Sequence, residues 1–198
     1  ALMYLLGLTG SIGMGKSTIA RLFAEEGCAV WDADAAVHRL YAKGGAAVAP
    51  MAAAFPTAIT GEEVSRPALK AIIAEDPTAL GRIEAIVHPL VGQDRVEFLR
   101  SAKSDIPVLD IPLLFETGGD ARMDGTVCVT VPEAEQRRRV LERGTMTEAQ
   151  FEAILAKQMP SAEKCARADF VVETDTLDHA RAQVRAIVAQ IRKNIANA

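Results

Sequence analysis

The chain has 198 residues, 49% of them hydrophobic and 24% charged, and 22 Lys and Arg against 26 Asp and Glu leave a formal net charge of −4. That length suits one α/β domain with a sizeable core and a small insertion. The acidic balance excludes a general nucleic-acid-binding surface, which needs a basic face, but leaves room for a local basic pocket.

Met3 to Thr9 is a short apolar run ending at glycine and predicts a buried strand. Lys16 to Glu26 has helical spacing, with Ile19, Ala20, Leu22 and Phe23 able to share a face and Gly27 placed to stop the helix. Cys28 to Trp31 reads as a second strand, closed by Asp32-Ala33-Asp34, and Ala35 to Ala42 as a helix. This β–loop–α–β–α opening predicts a parallel sheet. Residues 44–104 read as helical pieces punctuated by Gly44-Gly45, Pro56, Gly61, Pro67, Pro77 and Pro89, with no convincing strand. Strands are expected again at 106–111, 126–131 and 170–172. Helices are expected from Pro132 to about Arg143, from an N-cap at Thr147 to about Gln158, and from Leu177 to about Asn194. The expected fold class is thus α/β, a five-stranded parallel sheet flanked by helices, with 44–104 as a helical subdomain.

No apolar run reaches the roughly 18 residues of a membrane span. The leading MYLLGLTG is too short for a signal peptide and lacks a basic flank. Cys28, Cys128 and Cys165 lie far apart with no CxxC or Cys/His cluster, so they read as buried free thiols in a reducing compartment. A cytoplasmic location is expected, without membrane or nucleic-acid partners.

The most specific signal is GSIGMGKS at 10–17, which fits G-x-x-x-x-G-K-[ST] between a strand and a helix. Gly10, Gly13 and Gly15 allow backbone shapes that a Cβ would block. The amides of Ser11, Ile12 and Met14 can then turn inward around a β-phosphate at the positive end of the helix. Lys16 can reach β- and γ-oxygens, the Ser17 hydroxyl suits Mg²⁺, and Thr18 can meet the α-phosphate. The motif implies ATP or a similar triphosphate but not the reaction.

Asp32 and Asp34 close the second strand, at the sheet edge where α/β folds bind ligands. Either could accept a proton from an attacking hydroxyl or hold magnesium through water, and either could cap the next helix. Strand alternation places both on one side and does not choose between them. Arg137, Arg138, Arg139 and Arg143 form a basic segment, with Arg139 and Arg143 four residues apart and Gly144 offering a hinge. Mobile arginines of this kind can neutralise a phosphoryl group in transfer. Asp110 follows a strand as a metal-binding acid would, before an apolar PLLF turn, while Gln158 and Lys164 read as structural. A regulatory nucleotide switch would carry an N/T-K-x-D base-recognition segment, and none is present.

Together the motifs resemble the dephospho-coenzyme A kinase family. They are GLTGSIGMGKST at 7–18, GCAVWDADAAVHRLY at 27–41, IVHPLV at 86–91, DIPLLFETG at 110–118, RVLERGTMT at 139–147 and AKQMPSAEKCARADFVV at 156–172. The resemblance covers nearly the whole chain. It implies transfer of the ATP γ-phosphoryl group to the ribose 3′-hydroxyl of dephospho-coenzyme A, with Mg²⁺ and no obligate protein partner. It implies a nucleotide core at 1–43, 105–138 and 165–198, a substrate subdomain at 44–104 and a lid at 139–164. By motif, Asp34 is the expected general base, Lys16, Arg139 and Arg143 assist transfer, and Thr9, Arg66, His88, Leu113 and Glu116 fall among expected substrate contacts. Ala153 and Thr174 stand where family members often carry arginine and asparagine.

Overall fold

The computed structural model describes residues 2–198. It divides into two compact units: a core formed by the chain up to Trp31 together with Ala102–Ala198, and an inserted unit, Asp32–Ser101.

The core is a five-stranded sheet whose strands run in the order β2 (Val30–Asp32), β5 (Val108–Asp110), β1 (Leu6–Gly10), β6 (Gly125–Thr130), β7 (Phe170–Glu173), and in it β1 pairs in parallel with β5 and β6, and β6 with β7. Its central strand, β1 (Leu6–Gly10), is buried on both faces, which is why it reads as a continuous apolar run rather than an alternation. The following α1 (Lys16–Glu25) buries Ile19, Leu22 and Phe23. It closes in a left-handed turn at Gly27 (φ 88°), where Cys28 N–H donates to Phe23 O at 3.1 Å and Gly27 N–H to Ala24 O at 3.0 Å. The sheet's edge strand is β2 (Val30–Asp32).

After the insertion come β5 (Val108–Asp110), β6 (Gly125–Thr130), α6 (Glu133–Glu142), α7 (Glu148–Lys157), α8 (Ser161–Arg167), β7 (Phe170–Glu173) and α9 (Leu177–Ala196). On one face Val127 and Val129 pack with α1 and with Val184, Ile187, Val188 and Ile191 of α9. Alternation sends Cys128 and Thr130 to the other face, where they meet Cys165 and Ser161 of α8. No described helix is long and apolar enough to cross a membrane.

The inserted unit holds α2 (Ala33–Tyr41), α3 (Val48–Ala54), α4 (Arg66–Glu75) and α5 (Ala79–Ser101), around a core of Met51, Phe55, Leu69, Ile83 and Val87. Two sequence expectations fail here. A small hairpin pairs β3 (Ile59–Thr60) with β4 (Glu63–Val64) across Gly61 and Glu62, both with positive φ. Pro89 punctuates nothing, since it lies inside α5. A proline costs a helix one backbone bond and a local clash, and 23 residues of continuous helix outlast that cost here.

Candidate functional site: a phosphate cradle

The loop between β1 and α1 bends through Gly13 (φ 75°) and Gly15 (φ 87°), conformations that disfavour a side chain. Packing adds to the demand. A Cβ on Gly13 would lie 2.5 Å from Val140 Cγ2, and one on Gly15 3.2 Å from Thr174 Oγ1. Three side chains brace the loop. Gln136 of α6, itself buried, donates from Nε2 to Ile12 O at 2.7 Å. Gln158 accepts from Ile12 N–H through Oε1 at 3.4 Å, and Thr174 Oγ1 donates to Met14 O at 2.6 Å.

Gly10 through Thr18 line a cavity of about 230 Å³, whose remaining wall is Pro112, Leu113, Arg143 and Gln158. Lys16 Nζ lies 2.8 Å from Asp110 Oδ1 at the end of β5, an ion pair with the carboxylate almost fully buried. Ser17 is exposed at the cavity. Beneath it, Thr9 Oγ1 is buried at the end of β1 with no hydrogen-bond partner among the described residues. A second cavity of about 500 Å³ shares Ser11, Met14 and Gln158 and runs on to Thr130, Leu155 and Ser161. The Ile12 amide is taken by Gln158 and the Met14 amide donates to Ser11 O at 3.2 Å. What the concavity presents is a lysine, a hydroxyl and an arginine around a glycine-rich loop at a helix N-terminus, a combination suited to a polyphosphate.

The two expected lid arginines part company. Arg143, just past the end of α6, reaches the cradle wall. Arg139 instead donates to Thr174 Oγ1 at 2.9 Å and Thr174 O at 2.6 Å, and to Glu135 Oε1 at 3.0 Å. Hydrogen bonds from Arg138 and Arg139 hold the Glu135 carboxyl down to about 2. Arg138 is spent on Glu135 and Glu142, and Arg137 on Glu148 and Glu152. Glu116 lies away from the cradle lining. Its Oε2 is 3.0 Å from Lys164 Nζ and accepts from Met159 N–H at 3.1 Å. Burial pushes its carboxyl up, but the bonds from Lys164 and Met159 outweigh that, and the net direction is down.

In the inserted unit, strand alternation does not govern Asp32 and Asp34, because the strand ends at Asp32. Asp32 Oδ1 caps α2, accepting from Asp34 N–H at 2.8 Å and Ala35 N–H at 3.2 Å. Asp34 is in the first turn, exposed, and its carboxylate has no hydrogen bond or ion pair among the described residues. A carboxylate there is favoured by the helix dipole without being consumed by the cap. Arg66 opens α4 behind its cap Ser65 and lies over the Tyr41 ring, 5.4 Å from its centroid. Arg66 and His88 line one apolar cavity of about 280 Å³ with Leu69, Ile73, Leu80 and Val87.

Sequence reasoning missed Gln136 and Thr174 as braces of the loop and read Gln158 as merely structural, though it lines both cavities. Their only local signal was a glutamine or threonine at a helix or strand end, with partners up to 160 residues away.

Comparison with known proteins agrees with this geometry. A family model described as dephospho-CoA kinase matches residues 4–179. The chain is 72% identical to the dephospho-CoA kinase of Ruegeria pomeroyi over 94% of its own length and 95% of that protein's. Among solved structures it resembles TT1252 from Thermus thermophilus, with TM-score 0.84 and 34% identity over 96% of this chain and 98% of that one. The dephospho-CoA kinase from Campylobacter jejuni shares the fold at TM-score 0.70 and 21% identity, over 96% and 98%. A braced phosphate loop, a DAD turn feeding a helical insertion and a match running almost from end to end leave one assignment: the chain belongs to the dephospho-CoA kinase family.

Proposed function

We propose that this chain transfers the γ-phosphoryl group of ATP to the ribose 3′-hydroxyl of dephospho-coenzyme A, yielding coenzyme A and ADP. One observation carries the chemistry: the glycine-rich cradle from Gly10 to Thr18 shares a single concavity with Lys16, Arg143 and the Pro112–Leu113 turn. In this reading the cradle grips the β-phosphate and Lys16 leaves Asp110 to bridge β- and γ-oxygens. Arg143 neutralises the equatorial oxygens as charge spreads over them. Arg139 acts from the side, holding Thr174 and through it the loop. Asp34, with its carboxylate free of the cap, orients the acceptor hydroxyl and takes its proton as the O–P bond forms. Arg66 and His88 serve the charged part of the acceptor, while Thr9 and Leu113 border the reacting end.

The donor set fits magnesium. In the core, Ser17 offers an exposed hydroxyl and Asp110 a carboxylate that can act through water, hard oxygens of the kind this ion prefers. When bound, the ion neutralises β- and γ-phosphate charge. The three free thiols support a cytoplasmic setting. The test is ADP release with dephospho-coenzyme A, AMP, CMP or shikimate as acceptor. Turnover is expected with the first alone. Turnover with another and none with dephospho-coenzyme A would reject the substrate.

A further inference from the structure

Among the described residues, only Asp110 and Lys164 are charged side chains that are fully buried. Asp110 meets the catalytic lysine. Lys164, in α8, has a side chain just 1% exposed, and nothing above gives it a task. Its Nζ meets Glu116 Oε2 at 3.0 Å, and that same oxygen accepts from Met159 N–H at 3.1 Å. One carboxylate oxygen therefore ties three stretches of chain together. Glu116 belongs to the turn after β5 that brings Pro112 and Leu113 to the cradle, and Met159 directly follows Gln158. Gln158 in turn accepts from the Ile12 amide at 3.4 Å.

We infer that Lys164 and Glu116 form a clasp that positions the phosphate cradle, acting through Met159 and Gln158 on one side and the Pro112–Leu113 turn on the other. They are positioning residues, and Glu116 does its work without touching substrate. Stability alone does not call for such a pair, because a buried ion pair replaced by apolar residues of similar volume is often neutral or better. What apolar residues cannot supply is an acceptor that fixes the Met159 amide, and with it the direction of the Gln158 side chain. Without that anchor Gln158 is free to leave Ile12, and two walls of the cradle lose their common tie.

The inference rests on the phosphate-binding reading of the cradle, so Lys16→Ala serves as control. If Lys16→Ala leaves ADP affinity unchanged, that reading fails first. The test variant is Lys164→Met/Glu116→Leu, which removes both charges together and avoids stranding either one. It is expected to melt within a few degrees of the parent, yet bind a fluorescent ADP analogue about tenfold more weakly, with a shifted Ile12 amide resonance. Glu116→Gln, which keeps an acceptor oxygen for Met159, is expected to recover most of the affinity and is measured alone if the double variant does not fold. It should then lie within about threefold of the parent, against a loss of tenfold or more in Glu116→Ala. Parental ADP affinity and an unmoved Ile12 resonance in the double variant, or equal affinities for Glu116→Gln and Glu116→Ala, overturn the clasp.

Discussion

Gly13 and Gly15 carry different burdens. Both have positive φ, but a Cβ on Gly13 would strike a branched methyl of Val140 at 2.5 Å, whereas on Gly15 it would press on Thr174 at 3.2–3.3 Å. Gly13→Ala is therefore expected to weaken ATP binding by about tenfold or more, since strained backbone and clash together cost roughly 1–3 kcal/mol. Calorimetric titration of ATP checks this, and Gly15→Ala should lose less. Asp34→Asn tests the base. ATP affinity should stay within about twofold while kcat falls by about 10²–10⁴, the usual contribution of a positioned base. Steady-state assays with dephospho-coenzyme A decide, and near-normal turnover would remove Asp34 from that role. The bend of the loop was legible at this scale because glycines with positive φ between a strand and a helix depend only on neighbours in sequence. The division of labour between Asp32 and Asp34 was not, because it turns on where the strand yields to the helix. Once Asp32 takes the α2 amides, only Asp34 keeps a free carboxylate.

At the scale of elements, caps were the readable signals and short strands the unreadable ones. Thr147 caps α7 as expected, in a reciprocal box with Gln150: its Oγ1 accepts from Gln150 N–H at 3.2 Å while Gln150 Oε1 accepts from Thr147 N–H at 2.8 Å. Thr147→Ala should destabilise α7 by about 1 kcal/mol. Because α7 leads straight into Gln158, amide exchange across 148–158 is expected to quicken before global unfolding shifts, which hydrogen-exchange mass spectrometry can follow. The β3–β4 hairpin escaped notice for a physical reason. Two residues per strand are too few to show alternation, and its turn places Glu62 at φ 71° after Gly61, without the Asn-Gly or Asp-Gly dipeptide that advertises such a turn. Pro89 misled because a proline is a strong helix breaker in isolation, while neighbouring turns packed through Ile83 and Val87 hold α5 together.

Over the whole molecule the thiols read from the sequence as free and buried: all three are free and Cys28 and Cys128 are buried, but Cys165 is only half-buried, because its place on α8 covers it against β6 on one side alone. Their environment has a thermodynamic consequence. Burial pushes the Cys28 thiol up to about 11, against a smaller downward pull from Arg192, and the Cys128 thiol up to about 12, with the neighbouring Cys165 adding to the rise. An unfolded thiol ionises near 9.0, so the folded state resists a proton loss that the unfolded state undergoes freely. Their contribution to stability is present in full below pH 9 and lost as pH climbs from there through about 11 for Cys28 and about 12 for Cys128. Urea unfolding at pH 8 and 10.5 should show a steeper decline in the parent than in Cys28→Ala/Cys128→Ala. A matching decline in both would assign the alkaline loss to other groups, Tyr4 and Tyr41 among them. The braces on the phosphate loop lay beyond sequence reading for a whole-molecule reason: Gln136 and Thr174 reach Ile12 and Met14 only after β6, α6 and β7 have assembled beside β1.

Leu113 is held at φ 55°, a conformation that charges a branched residue roughly 1–2 kcal/mol, while its carbonyl is pinned by Thr117 through both N–H (3.0 Å) and Oγ1 (2.8 Å). Glycine would rest there without complaint, its extra backbone freedom offsetting only about 0.5–1 kcal/mol of the relief. A fold tuned for endurance alone would have no reason to keep leucine at that bend. Leu113→Gly should therefore melt at the same temperature as the parent or slightly above it, and, if Leu113 borders the reacting end as proposed, turn over more slowly, so that the bend trades endurance for reactivity.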